Sequence, residues 1–375
     1  MSRMIVVGGS IAGVTAASTL RAEGWAGDII VVSEEEGLPY SRVPLSKGVI
    51  ASEQPASSTA LPPLPADVEL RPGSRATALH PERHLLDLAD GSSLRYDGLV
   101  VATGARARRL ASNGQRDELV IRTLADAQTI ATRIVGARSV VVVGAGFLGM
   151  EIASTLRGHG LTVTVIDRDP PLRRVLGPWL ADVMVAAALR HGVRLIHAPD
   201  GVELVGDPVR AVAYGADELL EGDVIISAVG DLPNVEWLMS SGLAVAGGLV
   251  VDNHCRVTPT ITAAGDVTVQ ETSPGTFRRT PHWTNAVAQG QTAARNLLDP
   301  AAAPQQTDHY FWTEQFGINL KIAGALPIPG EPEVTAGNPD DLSALLQWRR
   351  DGAPIAAAAL NHRMAVVKLK ALSHG

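Results

Sequence analysis

The sequence predicts an α/β protein built from two doubly wound, parallel-sheet units, with a small α+β domain at the C-terminal end. Three observations carry that prediction. Residues 8–13 and 144–149 are glycine-rich, and each run lies between a continuous apolar segment and a segment with helical spacing. Each is followed by a second apolar segment that leads into an acidic residue. Beyond residue 306 the pattern changes to short strand-like runs interrupted by proline and glycine. Composition agrees. The chain has 375 residues, 46 % hydrophobic and 19 % charged, which suits two or three packed domains at roughly 150 residues each. It is unlike a disordered, collagenous or coiled-coil chain. A formal charge of −7 argues against a general nucleic-acid binder. Cys255 is the sole cysteine, so an internal disulfide, a CxxC redox pair and a cysteine-rich metal site are excluded.

The elements follow in order. Residues 4–7 are apolar throughout, as a strand covered on both faces requires. Arg3 and the apolar run to Leu20 have the outline of a secretory leader. Gly8, Gly9 and Gly13 interrupt it where a phosphate-binding turn needs them, so a cytoplasmic protein is expected. No apolar run approaches the ~18 residues of a membrane span. Residues 11–23 read as a helix closed by Gly24, and 29–32 as the next buried strand, leading to Glu34, Glu35 and Glu36. The Pro- and Ser-rich residues 52–65 read as loop, followed by a hairpin turning at Ala89-Asp90-Gly91 and an apolar run closing at 102–104. The second unit repeats the first: strand 139–143, turn 144–149, helix 150–158, and strand 161–166 closed by Asp167. Further strand-like runs lie at 224–226, at 250–251 and before Gly265-Asp266. Residues 284–298 read as a helix and 299–307 as a linker.

The two glycine turns carry chemistry. A tight turn at the first glycine, and a last glycine that lets helix and strand pack closely, aim helix N–H groups and the positive end of the helix dipole at a pyrophosphate. Gly144-Ala145-Gly146-Phe147-Leu148-Gly149 matches that fingerprint in full, whereas Gly8-Gly9-Ser10-Ile11-Ala12-Gly13 has Ser10 in the middle position. Glu34 lies 21 residues beyond Gly13 and Asp167 lies 18 beyond Gly149, near the ~20-residue spacing at which a carboxylate meets a ribose diol. Two dinucleotide sites in one chain imply one cofactor held as an electron relay and one exchanged. A flavin fits the first and a nicotinamide the second. The chain therefore reads as two Rossmann-like FAD- and NAD-binding domains plus a small α+β C-terminal domain. The expected boundaries are 1–105 with 230–305 for a discontinuous FAD-binding domain, 106–229 for the NAD(P)-binding domain, and 306–375 for a short C-terminal interface domain.

With these motifs the sequence resembles the FAD-dependent pyridine nucleotide-disulfide oxidoreductase superfamily, and within it the ferredoxin reductases of the putidaredoxin reductase type. The resemblance spans about residues 3–324. It rests also on Pro39-Tyr40-Ser41-Arg42-Val43-Pro44-Leu45-Ser46-Lys47, Ala102-Thr103-Gly104, Gly230 with Pro233-Asn234, Ala264-Gly265-Asp266, and Phe311-Trp312-Thr313-Glu314-Gln315. It implies a set of FAD contacts. Ala12 and Glu34, with the turn residues Gly8, Gly9, Ser10 and Gly13, match the adenosine and pyrophosphate end. Arg42 and Lys47 match residues near the pyrophosphate and the flavin ring. Ala76, Thr103, Gly104, Arg122, Gly230 and Gly265 complete the cofactor set, Asp266 matches the carboxylate on the ribityl chain, and Trp283 falls where the chain passes the isoalloxazine. For the nicotinamide dinucleotide the implied set is Gly144, Gly146, Phe147, Leu148 and Gly149, with Glu151 framing the nicotinamide and Asp167 accepting from the NADH ribose. A lysine beside the flavin N5 stabilises the negative charge that builds on reduction. Lys47 is the expected lysine, and Glu151 the carboxylate expected to fix it. A helix N-cap is the alternative role for Asp266.

The function the resemblance implies is that of an FAD-dependent NAD(P)H:ferredoxin reductase. Electrons would pass from NADH through FAD to a [2Fe–2S] ferredoxin that serves an oxygenase of cytochrome P450 or Rieske type. Asp167 favours NADH, because a carboxylate repels the extra phosphate of NADPH; Arg168, Arg173 and Arg174 keep NADPH open. Relatives that reduce disulfides or peroxides carry a cysteine at or close to residues 42–47, and this sequence has none there. Arg106, Arg108, Arg109, Arg278 and Arg279 are the residues expected to steer an acidic ferredoxin. A redox-sensing flavoprotein resembling apoptosis-inducing factor is one alternative, and a reductase of a small acceptor such as a quinone or monodehydroascorbate is another. Neither a metal site nor a nucleic-acid or membrane partner is expected, and a monomer or a homodimer fits equally. Val43 replaces a proline of the motif and Pro281 an acidic residue. The chain beyond Gly324 is short for this family, which leaves partner choice open.

Overall fold

The apolar runs near the start of the chain form the parallel centre of a six-stranded sheet in the computed structural model, which describes residues 2–245, 247–273, 275–306 and 309–374. The chain makes two units. Met1–Ser41, Thr59–Arg106 and Asp231–Asp308 form the first; Arg42–Ser58, Ala107–Gly230 and His309–Gly375 form the second. In the first unit the strand order is Arg256–Thr258, Ile261–Ala263, Gly98–Val101, Arg3–Val7, Asp28–Val32, Glu69–Arg71. Ile5 lies opposite Ile30 on one side and Leu99 on the other, both in parallel pairing. Side chains alternate across a strand with period two. Met4, Val6, Ile29, Val31 and Val100 therefore face the helices Ile11–Ala22 and Trp283–Leu298. Ile5, Val7, Ile30, Val32, Leu99 and Val101 face Leu79, Leu86, Leu88 and Leu94 of the antiparallel strands Ala76–His80, Leu85–Leu88 and Ser93–Arg95. Both faces are covered, which is why these runs carry no polar residue.

The second unit repeats this plan. Its parallel sheet has the order Arg194–His197, Thr162–Asp167, Ser139–Val143, Val224–Ser227, Leu119–Val120. Val141, Val143, Ile166 and Ile225 pack with Leu204 and Val212 of a small antiparallel sheet. Helix Phe147–Gly158 buries Met150, Ile152, Ala153 and Leu156. The same unit holds a five-stranded antiparallel sheet in the order Tyr310–Gln315, Ile318–Gly324, Ala353–Leu360, Ser343–Arg350, Glu333–Asn338. Helix Val366–Leu372 sets Leu369 among the small buried side chains Ala323, Ala357 and Ala359 of that sheet.

Two expected elements differ in detail, and the expected linker agrees as far as it is described. The second-unit helix begins at Phe147 rather than at 150, because Gly146 serves as its N-cap and the turn runs directly into the helix. The loop at 52–65 contains one 3₁₀ turn, Ala56–Thr59. Residues 299–306 carry neither helix nor strand, and Thr307 of the expected linker lies outside the described residues.

Candidate functional site

In a doubly wound sheet the chain leaves the central strand in opposite directions, which opens a crevice at that strand's C-terminal end. In the first unit that strand is Arg3–Val7. Gly8 N donates to Val32 O (2.8 Å), and Gly8 holds φ +124°. A Cβ on Gly8 would stand 2.1 Å from Ala102 O, and one on Gly13 would stand 1.8 Å from Gly8 O. Only glycine fits either position. Ser10 is the N-cap of the helix, in extended conformation, and its hydroxyl does not cap. The first-turn N–H groups are thus left to an outside acceptor such as a pyrophosphate.

The other first-unit motifs gather at this edge of the sheet. Thr103 Oγ1 donates to Asn234 O (2.9 Å), and Asn234 Nδ2 donates back to Thr103 O (2.9 Å). Asn234 N donates to Gly104 O (3.0 Å), so the Ala-Thr-Gly and Pro-Asn motifs clasp each other. Gly265 N donates to Gln289 Oε1 (2.8 Å), and a Cβ on Gly265 would lie 3.0 Å from the Ala12 Cβ, which brings Gly265-Asp266 to the start of helix Ile11–Ala22. Asp266 stands between strands Ile261–Ala263 and Thr268–Ser273, and its carbonyl accepts from Arg279 Nη2 (2.7 Å). A helix N-cap role for Asp266 is thereby overturned. Gln289, 1 % exposed, is a residue sequence reasoning missed. Its signal is a polar stripe, Asn285, Gln289, Thr292 and Asn296, buried at helical spacing beside Ala286, Gly290 and Ala293. Glu34 is exposed just past the strand end, Ala76 begins the strand Ala76–His80, and Trp283 is the first residue of its helix, 39 % exposed.

The second turn has the same construction. Gly144 N donates to Ile166 O (2.8 Å) with φ +107°. A Cβ on Gly144 would stand 2.4 Å from Ala228 O, and one on Gly149 would stand 1.9 Å from Gly144 O. At Gly146 a Cβ would meet nothing within 4 Å. Phe147 and the partly exposed Leu148 open the helix, again without a side-chain cap. Asp167 ends its strand with both oxygens engaged: Oδ2 accepts from Ala145 N (2.5 Å) and Oδ1 from Asp169 N (3.0 Å). Arg168 is paired with Asp169 (3.6 Å) and Arg173 with Asp182 (3.1 Å). The open helix start and the empty space over Gly146 suit the phosphates of a dinucleotide.

The same helix carries Glu151, and here distant parts of the second unit converge. Lys47 Nζ lies 3.1 Å from Glu151 Oε2, the two side chains 25 % and 12 % exposed. Ser46 Oγ donates to the same oxygen (2.8 Å), and Thr313 Oγ1 donates to Oε1 (2.8 Å). The turn Leu45–Val49 is tied to the helix because Thr155 Oγ1 donates to Ser46 O (2.9 Å). Phe147 packs on Phe311 with ring centres 4.2 Å apart. Arg42 Nη1 donates to Arg122 O, and Arg122 N donates to Asp126 Oδ2 (3.0 Å). An ammonium held beside a half-buried carboxylate keeps a fixed positive charge at low solvent exposure. Gly230 holds φ +96°, and its carbonyl accepts from Arg108 N (3.0 Å).

The basic residues expected to steer a partner are mostly occupied. Arg106 pairs with Glu236 (2.6 Å) and Arg279 with Asp231 (2.5 Å) within the first unit. Arg109 lies 3.7 Å from Glu118, a carboxylate buried in the second unit that also accepts from Leu110 N and Ala111 N. Tertiary partners that a linear reading does not see have claimed these charges. Cys255 is fully buried, and burial pushes its thiol up to about 12, with the Asp252 charge adding to it. It is no nucleophile. Among the described residues no group of three or more His, Cys, Asp and Glu side chains could hold a metal, and no helix is long and apolar enough to cross a membrane.

Comparison with known proteins extends this geometry. The family model described as pyridine nucleotide-disulphide oxidoreductase matches residues 2–290, and that described as reductase C-terminal matches residues 310–374. The chain is 34 % identical over 335 residues to the 3-phenylpropionate/cinnamic acid dioxygenase ferredoxin–NAD(+) reductase component of Photorhabdus laumondii, covering 85 % of this chain and 83 % of that protein. Among solved structures it is similar to the ferredoxin reductase for the CYP199A2 system of Rhodopseudomonas palustris, with a TM-score of 0.88, 30 % identity, and 96 % and 92 % of the two chains covered. It is also similar to the reductase in the covalent putidaredoxin reductase–putidaredoxin complex, with a TM-score of 0.87, 28 % identity, and 99 % and 92 % covered.

Proposed function

Because the chain belongs to the pyridine nucleotide-disulphide oxidoreductase family and carries its reductase C-terminal domain, we propose that it is the FAD-dependent NADH:ferredoxin reductase of an oxygenase system. FAD and NADH are its cofactors. Together they supply hydride transfer from nicotinamide to flavin and single-electron delivery from the flavin. The chain's own residues bind and orient. In the first unit the Gly8 turn and the N-terminus of Ile11–Ala22 hold the FAD pyrophosphate, with Asp266 at the ribityl chain. In the second unit the Gly144 turn holds the NADH pyrophosphate. Asp167 takes the ribose diol and disfavours a 2′-phosphate. Lys47, its ammonium held by Glu151, would supply the fixed positive charge that stabilises the negative charge building on a reduced flavin.

The observation that carries this reading is the Lys47–Glu151 ion pair on the helix opened by the second glycine turn, in a chain whose one thiol is buried and held up near 12. No thiol relay stands between flavin and acceptor, so electrons leave the flavin directly. The acceptor is a [2Fe–2S] ferredoxin serving a P450 or Rieske oxygenase, met in the cytoplasm by a monomer or homodimer of this chain. The test is cytochrome c reduction by NADH and the yellow protein, with and without a [2Fe–2S] ferredoxin. The expected result is at least a tenfold acceleration by the ferredoxin, equal to ~1.4 kcal/mol of barrier. Rapid flavin bleaching that no [2Fe–2S] protein converts into cytochrome c reduction would overturn the reading.

A further inference from the structure

Helix Phe147–Gly158 and strand Tyr310–Gln315 meet at two matched points: Phe147 packs on Phe311 and Glu151 accepts from Thr313. The four helical residues between them rise ~6 Å and the two strand residues ~6.6 Å, so these two contacts are in register. Just past the strand, Ser154 Oγ accepts from Phe316 N at 2.6 Å, and the strand is seated along the helix face that bears Glu151. Thr313, at the centre of this seam, is fully buried. Its Oγ1 accepts from Gln315 Nε2 (3.0 Å), which leaves its single proton to point at Glu151 Oε1. Gln315 is itself 3 % exposed, and its Oε1 has no hydrogen-bond partner. A pair serving packing alone is replaceable by apolar residues of the same shape at little cost, without stranding a buried amide oxygen.

We propose that Thr313 is a positioning residue for Lys47, acting through Glu151, so that the C-terminal sheet sets the geometry of the redox site. This rests on the role assigned above to the Lys47–Glu151 pair. Ser46 and Lys47 both engage Oε2, whereas Oε1 is fixed by Thr313. Without that proton the carboxylate turns more freely about its terminal torsion, and the ammonium it holds loses its fixed place.

The test measures flavin reduction by NADH in single turnover with the FAD-loaded enzyme, comparing wild type, Thr313→Val, Thr313→Ser and Glu151→Gln. Thr313→Val is expected to slow the limiting rate about tenfold, the scale of a lost hydrogen bond to a charged group, with half-saturating NADH changed by less than about twofold. Thr313→Ser restores the rate, and Glu151→Gln is at least as slow as Thr313→Val. If Thr313→Val fails to fold, Thr313→Ala is read in the same way. A wild-type limiting rate in Thr313→Val beside a slow Glu151→Gln overturns the Thr313 proposal alone. So does a serine variant as slow as valine, or an effect confined to NADH saturation. A wild-type rate in Glu151→Gln overturns the Lys47–Glu151 role, and Thr313 falls with it.

Discussion

The two glycine turns share a backbone and differ in what occupies it. In both, the first glycine donates to the neighbouring strand (Val32 O or Ile166 O) and has no room for a Cβ against a carbonyl of the other neighbour (Ala102 or Ala228). In both, the last glycine sits where a Cβ would collide with the carbonyl of the first. The middle position is different: Ser10 in one and Gly146 in the other, both extended N-cap residues. The residue after the anchoring carbonyl also differs, being the buried Ser33 in one and Asp167 in the other. The protein's own packing dictates the first and last glycines. The middle residue is free of that demand, and the strand-end residue meets it in different ways, so these are the two places where the turns differ.

The largest expected effect tests whether the shared backbone serves two cofactors. Gly13→Ala and Gly149→Ala are the same chemical change, placing a Cβ 1.8 Å and 1.9 Å from a carbonyl oxygen. Each must shift its turn, at a cost of ~1–3 kcal/mol or more. Gly13→Ala is expected to purify colourless, with its visible flavin absorbance lost. Gly149→Ala is expected to stay yellow and lose at least ~100-fold in kcat/KM for NADH, the equivalent of ~2.7 kcal/mol. Absorbance spectra and NADH titrations check both. Loss of flavin in both variants, or in neither, would end the assignment of one cofactor to each turn.

The strand-end difference predicts a smaller effect. Asp167 accepts two backbone N–H groups with two oxygens, and asparagine has one oxygen to offer. Asp167→Asn also removes the charge that repels a 2′-phosphate. Its kcat/KM for NADH is expected to fall about tenfold while that for NADPH holds, so the NADPH/NADH ratio rises about tenfold. Steady-state kinetics with both nucleotides checks it. An unchanged ratio would mean that Asp167 builds the turn and does not select the nucleotide.

These comparisons mark what a linear reading can see. The parallel strands were legible because both faces of each are covered, so Ile5 and Val6 had to be apolar alike. The turns were legible because only glycine satisfies their carbonyl clearances. The meeting of Lys47 with Glu151 was anticipated only through the family resemblance, and that Ser46, 105 positions from Glu151, joins it was not anticipated. No local pattern announces that Thr313 and Gln315 would complete that cluster, because a strand alternates in the same way whether its buried hydroxyl serves packing or a carboxylate. Three of the five arginines expected to steer a partner are paired in the fold, for a related reason. Charge is visible in sequence, but its neutralisation by Glu236, Asp231 and Glu118 is a tertiary fact.

The smallest expected effect comes from the middle position, and it separates packing from binding most cleanly. Gly146 has φ −77° and ψ −172°, open to any residue, and a Cβ there touches nothing within 4 Å. Gly146→Ala should therefore leave the fold intact and stabilise it by ~0.4–1 kcal/mol, through a less flexible unfolded chain. The methyl group stands where the backbone must approach a pyrophosphate, so the KM for NADH is expected to rise about fivefold, close to 1 kcal/mol of binding. Ser10→Gly reverses the change in the first unit. It should cost only a few tenths of a kcal/mol, the usual price of glycine for serine at an N-cap, and leave flavin content unchanged, since Ser10 makes no capping bond. Thermal melts, flavin absorbance and NADH kinetics on the two variants give the answer. A Gly146→Ala protein that melts higher and binds NADH as tightly as before would show that the glycine serves neither the fold nor the ligand, and the contrast between the two turns would reduce to Asp167 alone.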